Sequence, residues 1–184
     1  MHIAIISASV REGRRSHRVA LHLERSVIAS GNTADLLDLK AFAFPIFNER
    51  LKFQKDPASA TLDFAERIRK ANGVIIVTPE YNGGYPASMK NVVDLLNTEW
   101  KRKPIAISTV SDGSFGGTQV ITSLLFSLWK IKAWVVNGHM PVPKVAEAFD
   151  ETGQPADAEA WAKRTKAFLD ELGWAMEARR RMEA

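Results

Sequence analysis

GVIIVTPEYNGGYPASMKNVVDLL, residues Gly73–Leu96, is the stretch on which the reading of this chain turns. An apolar, β-branched run, Val74–Val77, halts at Thr78-Pro79. A polar, glycine-bearing loop follows, Glu80-Tyr81-Asn82-Gly83-Gly84-Tyr85, and Pro86 then opens an amphipathic helix. Open α/β sheets bind ligands at such strand-to-helix turns, outside the carboxyl ends of the strands. Proline suits the start of the helix, because the first N–H groups have no partner within it. Glycine lets backbone approach a ligand closely, and Asn82 offers both donors and acceptors to an imide-like edge. Tyr81 and Tyr85 are placed to flank a flat ring.

Working outward, the same alternation fills the chain. A strand His2–Ser7 leads to a helix Ser16–Ser30, with Val19, Leu23 and Val27 on one face and Gly31 as its stop. A second strand, Thr33–Leu39, is followed by an aromatic connection, Ala41–Pro57, and a helix at Ser59–Asn72 that faces Leu62, Ala65 and Ile68 inward. Beyond the opening stretch come a strand Pro104–Val110 and a helix Gly117–Lys130 with Val120, Ile121, Leu124, Leu125 and Leu128 on its buried side. A strand Ala133–Val136 and a long helix Ala156–Met182 complete the series. The five tryptophans read as core and interface residues. Five short, strongly apolar strands separated by helices predict a parallel sheet covered on both faces. The expectation is one doubly wound α/β domain, residues 1–184, with the flavodoxin-like strand order 2-1-3-4-5.

The first turn, Ser7–Ser16, reads SASVREGRRS. It sets hydroxyls (Ser9, Ser16), guanidiniums (Arg11, Arg14, Arg15) and Gly13 ahead of a helix N-terminus, whose free N–H groups and partial positive charge favour a phosphate. Neither the G-x-G-x-x-G fingerprint nor a P-loop is present, which argues against an ATPase or GTPase. The fourth turn, Ser111–Thr118, is also glycine-rich and brings Ser111 and Gly113 to the same end of the sheet. A nucleotide-like ligand is expected, with its phosphate on the first turn and its rings against Pro79, Glu80, Tyr81, Asn82 and Gly83.

Composition narrows the chemistry. The chain has 184 residues, 46% hydrophobic and 25% charged, and needs no disulfide or metal to build a core. It has no cysteine, so thiol catalysis and thiolate metal sites are excluded and redox chemistry requires a bound cofactor. Its four histidines show no metal-ligand spacing, and no G-x-S-x-G elbow points to hydrolysis. The net charge of +4 suits small anionic ligands. Its one dense basic run, Arg179-Arg180-Arg181, reads as a solvated helix end rather than a nucleic-acid surface. No apolar stretch reaches the length of a membrane span and no signal pattern opens the chain, so a cytoplasmic protein without a membrane partner is expected.

At these motifs the chain resembles the NADPH-dependent FMN reductase family, the flavodoxin-like group that includes chromate, quinone and azo-dye reductases. The family's Ser-x-Arg turn is matched by Ser9-Val10-Arg11, and its Pro-Glu-Tyr-Asn turn by Pro79-Glu80-Tyr81-Asn82. Pro86, Met89-Lys90-Asn91 and Asp94 continue the second motif. Ala8 stands where many members have glycine, and the hydroxyl that usually follows the arginine closely appears only at Ser16, after an Arg-x-Gly-Arg turn like that of the quinone reductases. The resemblance implies non-covalent FMN and NADPH as co-substrate, with NADH also possible. It implies a ping-pong transfer in which hydride goes to the flavin and a small-molecule electron acceptor then takes two electrons. It also implies a homodimer or homotetramer, and a reduced flavin stabilised by Asn82 and by backbone N–H groups of Tyr81–Gly83. No side-chain acid or base is required. The competing reading is a flavodoxin-type electron carrier.

Overall fold

In a computed structural model, which describes residues 1–183, five parallel strands stand in the order β2-β1-β3-β4-β5. They are β1 (His2–Ser7), β2 (Thr33–Asp38), β3 (Gly73–Pro79), β4 (Pro104–Val110) and β5 (Trp134–Val142). Around them lie α1 (Ser16–Ala29), α2 (Leu39–Phe42), α3 (Ser59–Lys70), α4 (Ala87–Leu95), α5 (Val120–Lys130), α6 (Val145–Ala148) and α7 (Ala158–Met182). The doubly wound fold and its strand order are those expected.

The middle strands are apolar on both faces because both are covered. Successive side chains alternate across the sheet, so Ile3, Ile5, Ile75 and Val77 join one core with Val19 and Leu23 of α1 and Phe168 and Leu172 of α7. Ala4, Ile6, Val74 and Ile76 join the other, with Phe64 of α3, Met89 of α4 and Leu124 of α5. The parallel register brings Ser7 beside both Asp38 and Val77, and Pro79 beside Val110, so the turns leaving β1, β3 and β4 emerge at one end. The chain leaves β1 toward β2 on one side and resumes with β3 on the other, which makes the β1/β3 border the topological switch point.

Several boundaries differ from the expectation. Pro86 flanks α4 as its N-cap instead of occupying its first turn, and α5 begins at Val120. The fifth strand runs six residues beyond Val136, to Val142, with an irregular register against Ile105–Ile107. It is an edge strand, and an edge accepts the glycine and proline that hid it. Leu62 and Leu125 are 50% and 38% exposed, not inward-facing. Each sits one residue past its helix's inward stripe, and a residue turns the helix by about 100°. Trp100 and Trp161 are buried as core, whereas Trp129 and Trp174 are 68% exposed.

Candidate functional site

At the switch point the first, third and fourth turns enclose a cleft of about 330 Å3. Eight of the residues expected at the site line it: Ser9, Arg11, Arg14, Ser16, Pro79, Glu80, Tyr81 and Ser111. Asn82, Gly83 and Gly113 do not, although they belong to the same turns. Gly13, Arg15, Val110, Asp112 and Val145 complete the wall. Val145 is the member that the sequence least announces. It is an apolar residue of the four-residue α6, delivered by the extra length of β5.

The first turn is held from three sides. Arg14 makes a bidentate ion pair with Asp38 at the end of β2 and donates to the Ser9 carbonyl at 2.8 Å. Burial works to raise the Asp38 pKa, but the Arg14 guanidinium and the Lys40 amide hold the carboxyl below its ordinary range. Ser88 of α4 donates to the Ala8 carbonyl, and His17 pairs with Ser7 at 3.1 Å. Burial, reinforced by nearby Arg14 and opposed by Asp38, lowers the His17 pKa. Arg15 bridges the cleft to Asp112 of the fourth turn.

The third turn is a two-residue hairpin. Tyr81 and Gly84 exchange backbone bonds of 2.8 and 3.0 Å around Asn82 and Gly83, both at positive φ (52° and 77°). An Asn-Gly pair suits such a turn because both central residues must take the left-handed conformation. The Tyr81 N–H is therefore consumed, and among the described residues the N–H groups of Asn82 and Gly83 have no acceptor. Glu80 accepts from the Gln119 amide at 3.1 Å, which ties the third turn to the start of α5.

Once these pairs are made, the charge left in the cleft is small and specific. Arg14 and Arg15 are neutralised by Asp38 and Asp112. Arg11 has no ion-pair partner among the described residues, and its guanidinium lies 5.3 Å from the centroid of the Tyr81 ring. Ser9 Oγ meets the Tyr81 hydroxyl at 2.7 Å. Ser16 opens α1, a 14-residue helix whose first turn carries no acidic residue and whose end has no side-chain cap. Its Oγ is buried and has no hydrogen-bond partner among the described residues. A buried hydroxyl without a partner costs free energy and is uncommon in native proteins, so this one fits an acceptor that arrives from outside. A phosphate oxygen at a helix N-terminus is such an acceptor, and this set of donors fits the phosphate of FMN.

The strand order and a cleft at the switch point define a flavodoxin-like α/β protein. The chain belongs to the NADPH-dependent FMN reductase family, whose model matches residues 1–147. By that membership it is an oxidoreductase that works with FMN and NAD(P)H. It is 30% identical over 152 residues to an NAD(P)H-dependent FMN reductase of Saccharomyces cerevisiae, covering 75% of this chain and 78% of the relative. It is 32% identical over 142 residues to a quinone reductase of Escherichia coli K12, covering 74% of each. Among solved structures, the flavoenzyme NAD(P)H:(acceptor) oxidoreductase of Paracoccus denitrificans superposes with a TM-score of 0.77 at 23% identity, over 96% of this chain and 97% of that one, a likeness of fold.

Proposed function

We propose that this protein holds FMN non-covalently and passes electrons from NADPH, with NADH as a second donor, to a small acceptor. The acceptor is a free flavin, a quinone, an azo compound or a metal oxyanion, and the order is ping-pong, with nicotinamide leaving before the acceptor enters. The observation that carries this reading is the unpartnered, buried Ser16 hydroxyl at the N-terminus of α1, beside the only cleft arginine without a carboxylate among the described residues.

Ser9, Arg11 and Ser16, with the first N–H groups of α1, would hold the phosphate, while Arg14 shapes the turn from behind through Asp38 and the Ser9 carbonyl. Pro79, Glu80, Tyr81 and Ser111 would flank the remainder of the cofactor. Bound FMN supplies the hydride and electron chemistry that the cysteine-free chain lacks. The free N–H groups of Asn82 and Gly83, and the Asn82 side chain, would counter negative charge at the ring edge. Ser111 and Gly113 give the fourth turn its course over the same end of the sheet, held by a 3.2 Å bond from the Ser111 hydroxyl to the Gly113 carbonyl.

A homodimer or homotetramer would cover the apolar side chains that α5 presents to solvent, Phe126 and Trp129. Among the described residues no helix is long and apolar enough to cross a membrane, and Arg179, Arg180 and Arg181 are paired with Glu183 and Glu177 along α7. The paired arginines speak against a nucleic-acid surface, and we read the enzyme as cytoplasmic, without a membrane partner. The test is an absorption spectrum of the protein mixed with FMN, desalted and treated anaerobically with NADPH. A retained band that bleaches is expected. A retained band that does not bleach would identify an electron carrier fed by another enzyme, and no binding in an FMN titration would overturn the proposal.

A further inference from the structure

The fourth turn has two sides. Ser111 and Asp112 face the cleft, while Ser114 and Phe115 line a second groove of about 490 Å3 between the outer half of β5 and α7. Pro141, Pro143 and Phe168 give that groove apolar walls. Phe115 stands at its rim, 82% exposed, with no ring packed against it among the described residues. Arg164 and Glu171 lie on the α7 side, and neither has an ion-pair or hydrogen-bond partner among the described residues. The Arg164 guanidinium lies 5.0 Å from the centroid of Trp161, one turn back along the helix. The two charged residues stand seven positions apart on the helix, about 10 Å along the axis.

We infer that this groove receives the adenosine 2′-phosphate end of NADPH, an inference that rests on the reductase reading above. A dinucleotide whose nicotinamide reaches the cleft must lay its other end on a neighbouring surface, and this groove is separated from the cleft by a single turn. Phe115 offers a free face for a purine to stack on. Glu171 accepts from the exocyclic amine, and Arg164 binds the 2′-phosphate with a planar fork that no carboxylate occupies. The apolar pocket on the other flank, beside Val10 and Ile46, offers only Lys40 and Lys90, already paired with Glu12 and Asp94.

The test titrates adenosine 2′,5′-bisphosphate by calorimetry into the protein with FMN added, as wild type, Arg164→Ala and Arg164→Lys, alongside KM for NADPH and for NADH. Arg164→Ala, at an exposed helical position, is expected to weaken the bisphosphate by about tenfold or more, the worth of a charged hydrogen bond. The ratio of KM for NADPH to KM for NADH should rise by a similar factor, with partial recovery in Arg164→Lys. Wild type that oxidises NADPH yet does not bind the bisphosphate would sink the groove and leave the reductase standing. Unchanged binding in Arg164→Ala would sink it as well. Binding that depends on Arg164 in a protein that oxidises neither nucleotide would keep the groove and sink the reductase.

Discussion

The hydroxyls of Ser9 and Tyr81 lie 2.7 Å apart, joining turns separated by 72 residues of chain. This bond ties the first turn to the third-turn hairpin across the cleft. In Tyr81→Phe the aromatic face under Arg11 survives and only the link is lost, at about 0.5–1.5 kcal/mol. FMN affinity should fall by up to roughly tenfold with the thermal midpoint almost unmoved. A collapse of the fold without any selective change in flavin binding would mean that Tyr81 serves packing alone.

Among the described residues, Arg11 is the cleft's unpaired cation. Arg11→Ala should weaken FMN by about 1.5–3 kcal/mol, the scale of a hydrogen bond to a charged group, without loss of fold. Its binding should also lose much of its salt dependence. Unchanged affinity by fluorescence titration would rule out the phosphate assignment.

Ser16 carries a prediction of opposite sign in the two states. Without ligand, its buried hydroxyl is an unmet cost, so Ser16→Ala should leave the FMN-free protein as stable or up to about 1 kcal/mol more stable. With FMN, the variant loses a donor, and the rise in melting temperature on adding cofactor should shrink. A less stable apo variant that gains as much from FMN as wild type would remove Ser16 from the phosphate site.

His22 sets an acid limit on stability. It is 7% exposed, bonded through Nε2 to Thr165 at 2.9 Å and packed on Phe149. Burial, with help from Arg25, lowers its pKa from 6.5 to about 4. The folded state therefore keeps the ring neutral where the unfolded chain would protonate it. Its contribution is full above about pH 6.5 and is lost as pH falls toward 4, on the order of 3 kcal/mol. His22→Gln should flatten denaturant-derived stability across that window, and an unaltered pH slope would contradict the assignment.

What the sequence reveals follows from where the information is local. The run Val74–Val77, closed by Pro79 and followed by an Asn-Gly step, marks strand, turn and helix within one short window, and all three are found there. The second half of β5 was hidden because Asn137, Gly138 and Pro141 break any strand pattern, and only pairing with β4 reveals it. The residue types at the cleft were visible, but not how their charges are spent. Arg14 and Arg15 look like free phosphate ligands until the fold brings Asp38 and Asp112 to them from 24 and 97 residues away. Glu80 reads as a ligand contact; it lines the cleft, and its carboxylate also accepts from the Gln119 amide at the start of α5.

The long helix α7 bears on how this protein can be dissected. The family match ends at residue 147, yet Trp161, Phe168, Leu172 and Met176 lie beyond it and cover Ile75, Val77 and Ala106 on one face of the sheet. A gene fragment trimmed to the matched region would keep α1 on that face but uncover the part over β4 and β5 that α7 shields, an exposed apolar patch open to any neighbouring chain. Such a fragment is expected to be recovered from cells as insoluble material. Lineages that diverge in the last 37 residues therefore remain bound to replace one apolar stripe with another, whatever else they change.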